Sequence, residues 1–248
     1  MQISAIIPAR YASVRLPGKP LVPILGKPLI GHVYERAARC RSLDRVIVAT
    51  DDTRIADAVK AFGGEFIMTR ADHQSGTDRL AEAADLLGLA EDDIVVNVQG
   101  DEALLEPEML ETLIGAITGA PDFPMATLAF PTGNREDYVN PNVVKAVVDR
   151  DGKALYFSRS AIPFPRDGME GAPAFLKHMG FYAYRRWFLR QFTALPPGRL
   201  EQIEKLEQLR ALENGYPILV AISPFDSESV DTPADLEKVL AVLKDRKF

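Results

Sequence analysis

The chain has 248 residues, 47% apolar and 26% charged, with a formal net charge of −6. That composition is ordinary for a globular protein with room for one large core, and it argues against non-specific nucleic-acid binding. Cys40 is the sole cysteine, which excludes an intrachain disulfide and a cysteine-rich zinc site. No apolar run is long enough to span a membrane and no secretory leader pattern opens the chain, so the expectation is a soluble, cytoplasmic protein.

The elements alternate from the start. Ile3 to Ile7 is a short apolar run that reads as a buried strand. A basic, proline-stiffened segment follows, with Arg10, Arg15 and Lys19 interleaved with Ser13, Pro17 and Gly18. Arg grips phosphate oxygens with two parallel bonds, Lys adds a compact charge, and glycine lets backbone N–H groups approach an anion. That segment directly follows a strand, where open α/β sheets bind ligands. It therefore reads as a loop wrapped round a triphosphate.

Leu29, Ile30, Val33, Tyr34 and Ala37 recur at helical spacing, and Val46 to Ala49 is a strand ending at Thr50-Asp51-Asp52. Ile55, Ala56, Val59 and Phe62 form a helical stripe stopped by Gly63-Gly64. Helix Leu80–Leu87, strand Ile94–Val98 and helix Pro107–Ile117 come next. This alternation indicates βαβ units and a mostly parallel sheet. From residue 125 the pattern changes: Met125–Phe130, Val143–Val148 and Ala154–Ser158 are strands without long helices between them. Phe164 to Ala174 is a Pro- and Gly-rich loop. Helices are expected at Arg186–Phe192, Ile203–Leu212 and Pro233–Lys244, and a strand at Ile218–Ile222. The whole reads as one α/β domain over residues 1–248 with a β-rich insertion at about 125–185.

Three further segments carry chemistry. Asp101, in Asn97 to Glu102, sits at the end of strand Ile94–Val98 after a turn-permitting Gly100. It suits Mg²⁺, which takes one or two carboxylates plus substrate phosphates; from spacing alone a capping aspartate is equally open. Asp231 precedes a helix start at Thr232-Pro233. In His73 to Glu82, Ser75, Gly76 and Thr77 open a helix whose N-terminus suits an anion or a pyrimidine edge, with an ordinary capping turn locally as good.

The strings IIPARYASVRLPGKPL, TRADHQSGTDRLAE, NVQGDE, HMGFYAYR, LEQLR and SVDTP together resemble the 3-deoxy-manno-octulosonate (Kdo) cytidylyltransferases, the CMP-Kdo synthetases, from residue 5 to residue 235. The resemblance implies a three-layer, Rossmann-like nucleotide-diphospho-sugar transferase fold. It implies the reaction CTP + Kdo → CMP-Kdo + diphosphate, feeding lipopolysaccharide assembly, with Mg²⁺ and in a homodimer. It also implies that Pro8, Ala9, Arg10, Ser13, Arg15, Lys19, Gln74, Ser75, Gly76 and Thr77 hold CTP. Asp101 and Asp231 would hold the metal, completing a catalytic set with Arg10, Arg15 and Lys19. Gln99, Arg159, His178, Tyr182, Glu207 and Gln208 would line the Kdo site, where an acidic sugar needs cationic and donor groups. Two departures stand out: Ala103 where the family has proline after QGDE, and Ser229 where it commonly has glycine.

Competing readings share less. A cytidylyltransferase for the 8-amino analogue of Kdo would keep every phosphate and metal motif. A CMP-sialate synthetase would not share HQSGT, HMGFYAY and LEQLR. A nucleotide-binding regulator would be expected to lose Asp101, Asp231 or the basic loop. A Rossmann dehydrogenase lacks its GxGxxG here, and a P-loop enzyme its GxxxxGK[ST].

Overall fold

The computed structural model describes residues 1–12, 16–166 and 174–245. In chain order the elements are β1 (Ile3–Ala9), a 3-10 turn (Lys19–Leu21), β2 (Pro23–Ile24), β3 (Lys27–Pro28), α1 (Leu29–Ala37), β4 (Arg45–Thr50), α2 (Thr53–Ala61), β5 (Glu65–Met68), α3 (Gly76–Leu86), β6 (Ile94–Asn97) and α4 (Pro107–Gly119). Then come β7 (Met125–Thr132), α5 (Arg135–Val139), β8 (Lys145–Val148), β9 (Ala154–Ser158), β10 (Phe175–Arg185), α6 (Arg186–Ala194), α7 (Arg199–Glu204), α8 (Leu209–Glu213), β11 (Ile218–Ile222) and α9 (Pro233–Asp245). Two compact units result, one of residues 1–111 with 227–248, the other of residues 112–226.

In the first unit β1 pairs in parallel with β4 on one side and with β6 on the other, and β4 pairs in parallel with β5. Ala5, Ile6 and Ile7 of β1 are fully buried, as are Val95 and Val96 of β6. Strands covered on both faces need such unbroken apolar runs. The chain winds outward from β1 through β4 to β5, then returns through α3 to place β6 on the opposite side of β1. Strand order therefore reverses between β1 and β6. Ligands bind at that reversal, outside the carboxyl ends of the strands. Those ends carry Pro8, Ala9 and Arg10 from β1 and Gln99, Gly100 and Asp101 from β6.

A second buried cluster lies beside these ends. Ile24, Leu29, Ala103, Val230, Val239 and Leu243 pack together, with Leu16, Leu104, Leu236 and Leu240 against them. It ties α9 to the segments on either side of both candidate aspartates. Ala103 is fully buried within it, so the loop after Asp101 is held by packing where the family uses proline.

The second unit is β-rich. β11 pairs in parallel with β7, whereas β7–β10, β10–β8 and β8–β9 are antiparallel. β10, eleven residues long, bulges between His178 and Tyr182, where Gly180 has φ +71°.

One expected helix is corrected. Residues 203–212 do not form a continuous helix; α7 ends at Glu204, Lys205 takes a left-handed conformation at φ +53°, and α8 begins at Leu209. The apolar positions 203, 206, 209 and 212 repeat every three residues, which drifts off one face of a 3.6-residue helix. Ile203 is accordingly 66% exposed while Leu206 and Leu209 are buried. Glu207 and Gln208 sit in the turn, not on a helix face. No described helix is long and apolar enough to cross a membrane.

Candidate active site

A cavity of about 760 Å³ opens at the reversal point, entirely within the first unit. Pro8, Ala9 and Arg10 form one wall, Ser75 and Gly76 another, and Lys19, Asp101 and Asp231 a third.

Local geometry sets Lys19. Gly18 has φ +68°, the left-handed region, and its N–H donates to the Tyr11 carbonyl at 3.2 Å. A Cβ there would stand 3.1 Å from the Tyr11 ring. That ring is held in turn by the Arg54 guanidinium, 3.3 Å from its centroid. Gly18 then starts the 3-10 turn that presents Lys19. Gly18→Ala is expected to cost about 1–2 kcal/mol of stability, from the left-handed backbone alone, and to weaken CTP binding. Thermal unfolding and CTP titration of the variant check both.

The aspartates are placed just as firmly. A Cβ at Gly100 would lie 3.1 Å from the Pro8 carbonyl oxygen, so glycine lets the β6 loop lie against the end of β1. The Asp101 carbonyl accepts from Val230 N–H at 3.0 Å, which ties the two aspartate-bearing loops together. Past Asp231, Thr232 and Asp235 cap α9 reciprocally: Thr232 N–H donates to Asp235 Oδ2 at 2.8 Å and Asp235 N–H to Thr232 Oγ1 at 3.3 Å. Asp231 N–H also donates to Asp235 Oδ2, at 3.2 Å. Ser229 is not among the non-glycine residues with positive φ, so this loop does not require the family's glycine.

Lys19 Nζ lies between the carboxylates, 2.5 Å from Asp101 Oδ2 and 2.9 Å from Asp231 Oδ1. Burial pulls its pKa down, but the charge and hydrogen bonds of Asp101 and Asp231 outweigh burial and raise it. It is an ammonium at neutral pH. Asp101 and Asp231 thus already converge on one cation, with hard oxygens. That donor set fits Mg²⁺, which takes one or two carboxylates and completes its shell with water and substrate phosphate. No group of three or more His, Cys, Asp or Glu side chains suited to a metal occurs among the described residues.

The cap of α3 is as expected in part. Ser75 accepts from Asp78 N–H at 3.1 Å while Asp78 accepts from Ser75 N–H at 3.1 Å, a capping box. Ser75 and Gly76 face the cavity. Gln74 does not line it and instead donates to the Asp72 carbonyl at 2.9 Å; Thr77 is buried and does not line it either. Two polar wall residues, Arg79 and His73, are not among the candidates that the motifs single out. Arg79 is buried, with hydrogen bonds to Thr69 Oγ1 at 2.5 Å and an ion pair to Asp51 at 3.2 Å. His73 pairs with Glu82. Arg79 lies four residues after Ser75, on the same face of α3, which is the signal that would have found it. Ser13, Arg15 and residues 167–173 of the Phe164–Ala174 loop lie outside the described residues.

Gln99 lines the cavity. The remaining sugar-site candidates are in the second unit. His178 hydrogen-bonds Thr127 Oγ1 at 2.9 Å and packs edge-on to Phe157 and against Tyr182. Burial pushes its pKa down to about 4, so at neutral pH it is an uncharged hydrogen-bonding group. Of the cationic and donor groups that an acidic sugar needs, it can therefore supply a donor and not a charge. Burial, and then the negative charge of Glu207, raise the Tyr182 phenol well above its usual range, so His178, Tyr182 and Glu207 form one electrostatic neighbourhood. Glu207 also lies 3.8 Å from Arg210. Gln208 is buried, with its amide nitrogen unpaired among the described residues. Arg159 donates to the carbonyls of Glu204 at 2.7 Å, Pro141 at 3.0 Å and Lys205 at 3.3 Å, bracing the turn that carries Glu207 and Gln208.

The low pKa of His178 has a consequence for stability. Unfolded, the imidazole takes a proton near pH 6.5; folded, it does so only near 4. Between those values the unfolded chain binds more protons, so stability is full above pH 6.5 and falls as pH drops, by about 1–3 kcal/mol. His178→Gln is expected to flatten that limb, as read from urea midpoints at pH 7.5 and 4.5.

A family model described as cytidylyltransferase matches residues 4–222. A 3-deoxy-manno-octulosonate cytidylyltransferase of Syntrophobacter fumaroxidans is 66% identical, over 98% of this chain and 97% of its own. An 8-amino-3,8-dideoxy-manno-octulosonate cytidylyltransferase of Shewanella amazonensis is 54% identical over 96% of this chain and 97% of its own. Among solved structures, a CMP:2-keto-3-deoxy-manno-octonic acid synthetase complexed with CTP superposes with a TM-score of 0.93 at 46% identity, over 100% of both chains.

Proposed function

The chain belongs to the Kdo cytidylyltransferase family, and on that premise we propose that it transfers CMP from CTP to Kdo and releases diphosphate. The observation that carries this reading is the meeting of Lys19, Asp101 and Asp231 in one cavity at the sheet's reversal point. A triphosphate there meets Arg10, Lys19 and the Ser75–Gly76 end of α3, where the helix dipole favours an anion.

The anomeric hydroxyl of Kdo attacks the α-phosphorus, the new O–P bond forms as the hydroxyl proton passes to water, and the bond from the α-phosphorus to the oxygen bridging it to the β-phosphate breaks, releasing diphosphate. Such a transfer depends mainly on positioning and on charge neutralisation. Arg10, Arg15 and Lys19 bind the triphosphate and stabilise the departing diphosphate. Asp101 and Asp231 would hold Mg²⁺, which when bound would neutralise phosphate charge and lower the pKa of the attacking hydroxyl. Arg79, pinned by Thr69 and Asp51, shapes the wall beside the α3 cap. Arg159, Tyr182, Glu207 and Gln208, with neutral His178, receive the sugar, and Gln99 lines the cavity together with Asp101.

The same proposal has the protein act in the cytoplasm as a homodimer, supplying CMP-Kdo for lipopolysaccharide assembly. Its β-rich insertion would serve acceptor binding and dimerisation within a single nucleotidyltransferase domain.

Diphosphate release with CTP and Mg²⁺ tests the acceptor, with Kdo, its 8-amino analogue and sialic acid offered separately. Release with Kdo is expected. Release only with the 8-amino sugar, the acceptor named for the Shewanella relative, would keep the mechanism and change the substrate.

A further inference from the structure

Lys19 is in an unexpected place for a phosphate-gripping side chain. Its ammonium is turned onto Asp101 Oδ2 at 2.5 Å and Asp231 Oδ1 at 2.9 Å, and its side chain is only 16% exposed. Two carboxylates held this close repel each other unless a cation lies between them. Here that cation is the lysine.

A divalent ion and the ammonium cannot share the position. Mg²⁺ bridging the two carboxylates binds oxygen at about 2.0–2.1 Å, so it would stand at the point between them that the ammonium fills, and like charges so close repel. We propose that Lys19 is a built-in placeholder for the divalent cation: its ammonium closes the Asp101–Asp231 pair until a triphosphate draws it away, so the metal enters with the nucleotide and not ahead of it. The proposal rests on the reading of Asp101 and Asp231 as metal ligands.

The exchange is close to balanced. Lys19 gives up two carboxylate contacts and gains phosphate oxygens, while the carboxylates give up an ammonium and gain a metal. Only the side chain has to move. Its backbone is fixed by the left-handed Gly18 and the 3-10 turn, while a four-carbon stem lets the ammonium swing within the cavity it already lines. Because binding couplings are reciprocal, metal and nucleotide must each tighten the other.

Mn²⁺ is a suitable probe, read by electron paramagnetic resonance on the nucleotide-free protein. Lys19→Met is expected to bind Mn²⁺ about ten- to a hundredfold more tightly than the wild type, the scale of freeing charged groups from a hydrogen-bonded cation. Adding Asp231→Asn to Lys19→Met should remove the gain. Equal Mn²⁺ affinity in wild type and Lys19→Met would overturn the placeholder role. The wild-type protein supplies a second readout that needs no variant. Mn²⁺ should broaden the backbone amide signals of Gly100 and Asp231 only when CTP is also present, and broadening by Mn²⁺ alone at the same concentration would overturn the proposal. Failure of the metal-ligand reading is a different result: Asp101→Asn would then leave the water-relaxation enhancement of protein-bound Mn²⁺·CTP unchanged.

Discussion

Asp101→Asn is expected to lower kcat for diphosphate release about a thousandfold, with the fold intact. The substitution keeps shape and removes one charge at a side chain that is 22% exposed, so the cost to stability is small. The cost to catalysis is large because the carboxylate is positioned from several directions at once: the end of β6, the close approach of Gly100 to Pro8, the bond from Val230 N–H, and the buried Ala103. A misplaced or missing metal at a phosphoryl centre forfeits several kcal/mol of charge stabilisation, and about 4 kcal/mol corresponds to a thousandfold. Steady-state assays at saturating CTP and Kdo, with circular dichroism to establish folding, provide the check. A folded variant within threefold of wild type would remove Asp101 from the mechanism.

The largest stability effect is expected in the second unit, at Lys145. This lysine is fully buried, and its ammonium donates to three carbonyls: Asn140 at 3.0 Å, Val143 at 2.6 Å and Arg159 at 2.8 Å. Burial, and then the charge of Arg159, lower its pKa. Lys145→Met keeps the apolar stem and leaves the Val143 and Arg159 carbonyls without that donor, while the Asn140 carbonyl keeps the Val143 N–H at 3.1 Å. Each polar group left unpaired away from water costs about 1–3 kcal/mol, so a loss of about 2–6 kcal/mol is expected. For a chain of this length that lowers the thermal midpoint by about 4–24 °C. The same lysine fixes the backbone of Arg159, so the Kdo KM should rise further than the CTP KM. Differential scanning calorimetry and paired KM measurements read the two effects, and an unchanged midpoint would show that the carbonyls find other partners.

The parts of the site that were legible are those built from contiguous sequence. The apolar run of β1 followed by Arg10, Gly18 and Lys19, the Gly100-Asp101 turn after β6, and the Ser75 cap of α3 each announce themselves within about ten residues. Chain proximity, local backbone need and chemistry coincide there. Arg79 did not announce itself, because its partners Thr69 and Asp51 come from the segments after β5 and β4. The meeting of Lys19, Asp101 and Asp231 on one nitrogen likewise depends on three distant segments.

Elsewhere the period of the sequence was misleading. β10 was hidden because Gly180 and the bulge between His178 and Tyr182 interrupt its alternation, so HMGFYAYR reads as a motif and not as a strand. β5 was hidden because it leaves Phe66 and Met68 39% and 40% exposed and presents no buried stripe. The break between α7 and α8 falls at Lys205, a non-glycine residue in the left-handed region, where no local residue signals a stop.

The measurement that bears most directly on the account is phosphorus NMR of the purified protein with CTP, Mg²⁺ and Kdo, following CTP, diphosphate and the new phosphodiester together. Diphosphate is expected to appear one for one with CTP consumed, with a CMP–sugar resonance rising alongside it, and neither when Kdo is omitted. CTP that binds the protein but stays intact with Kdo present would contradict it.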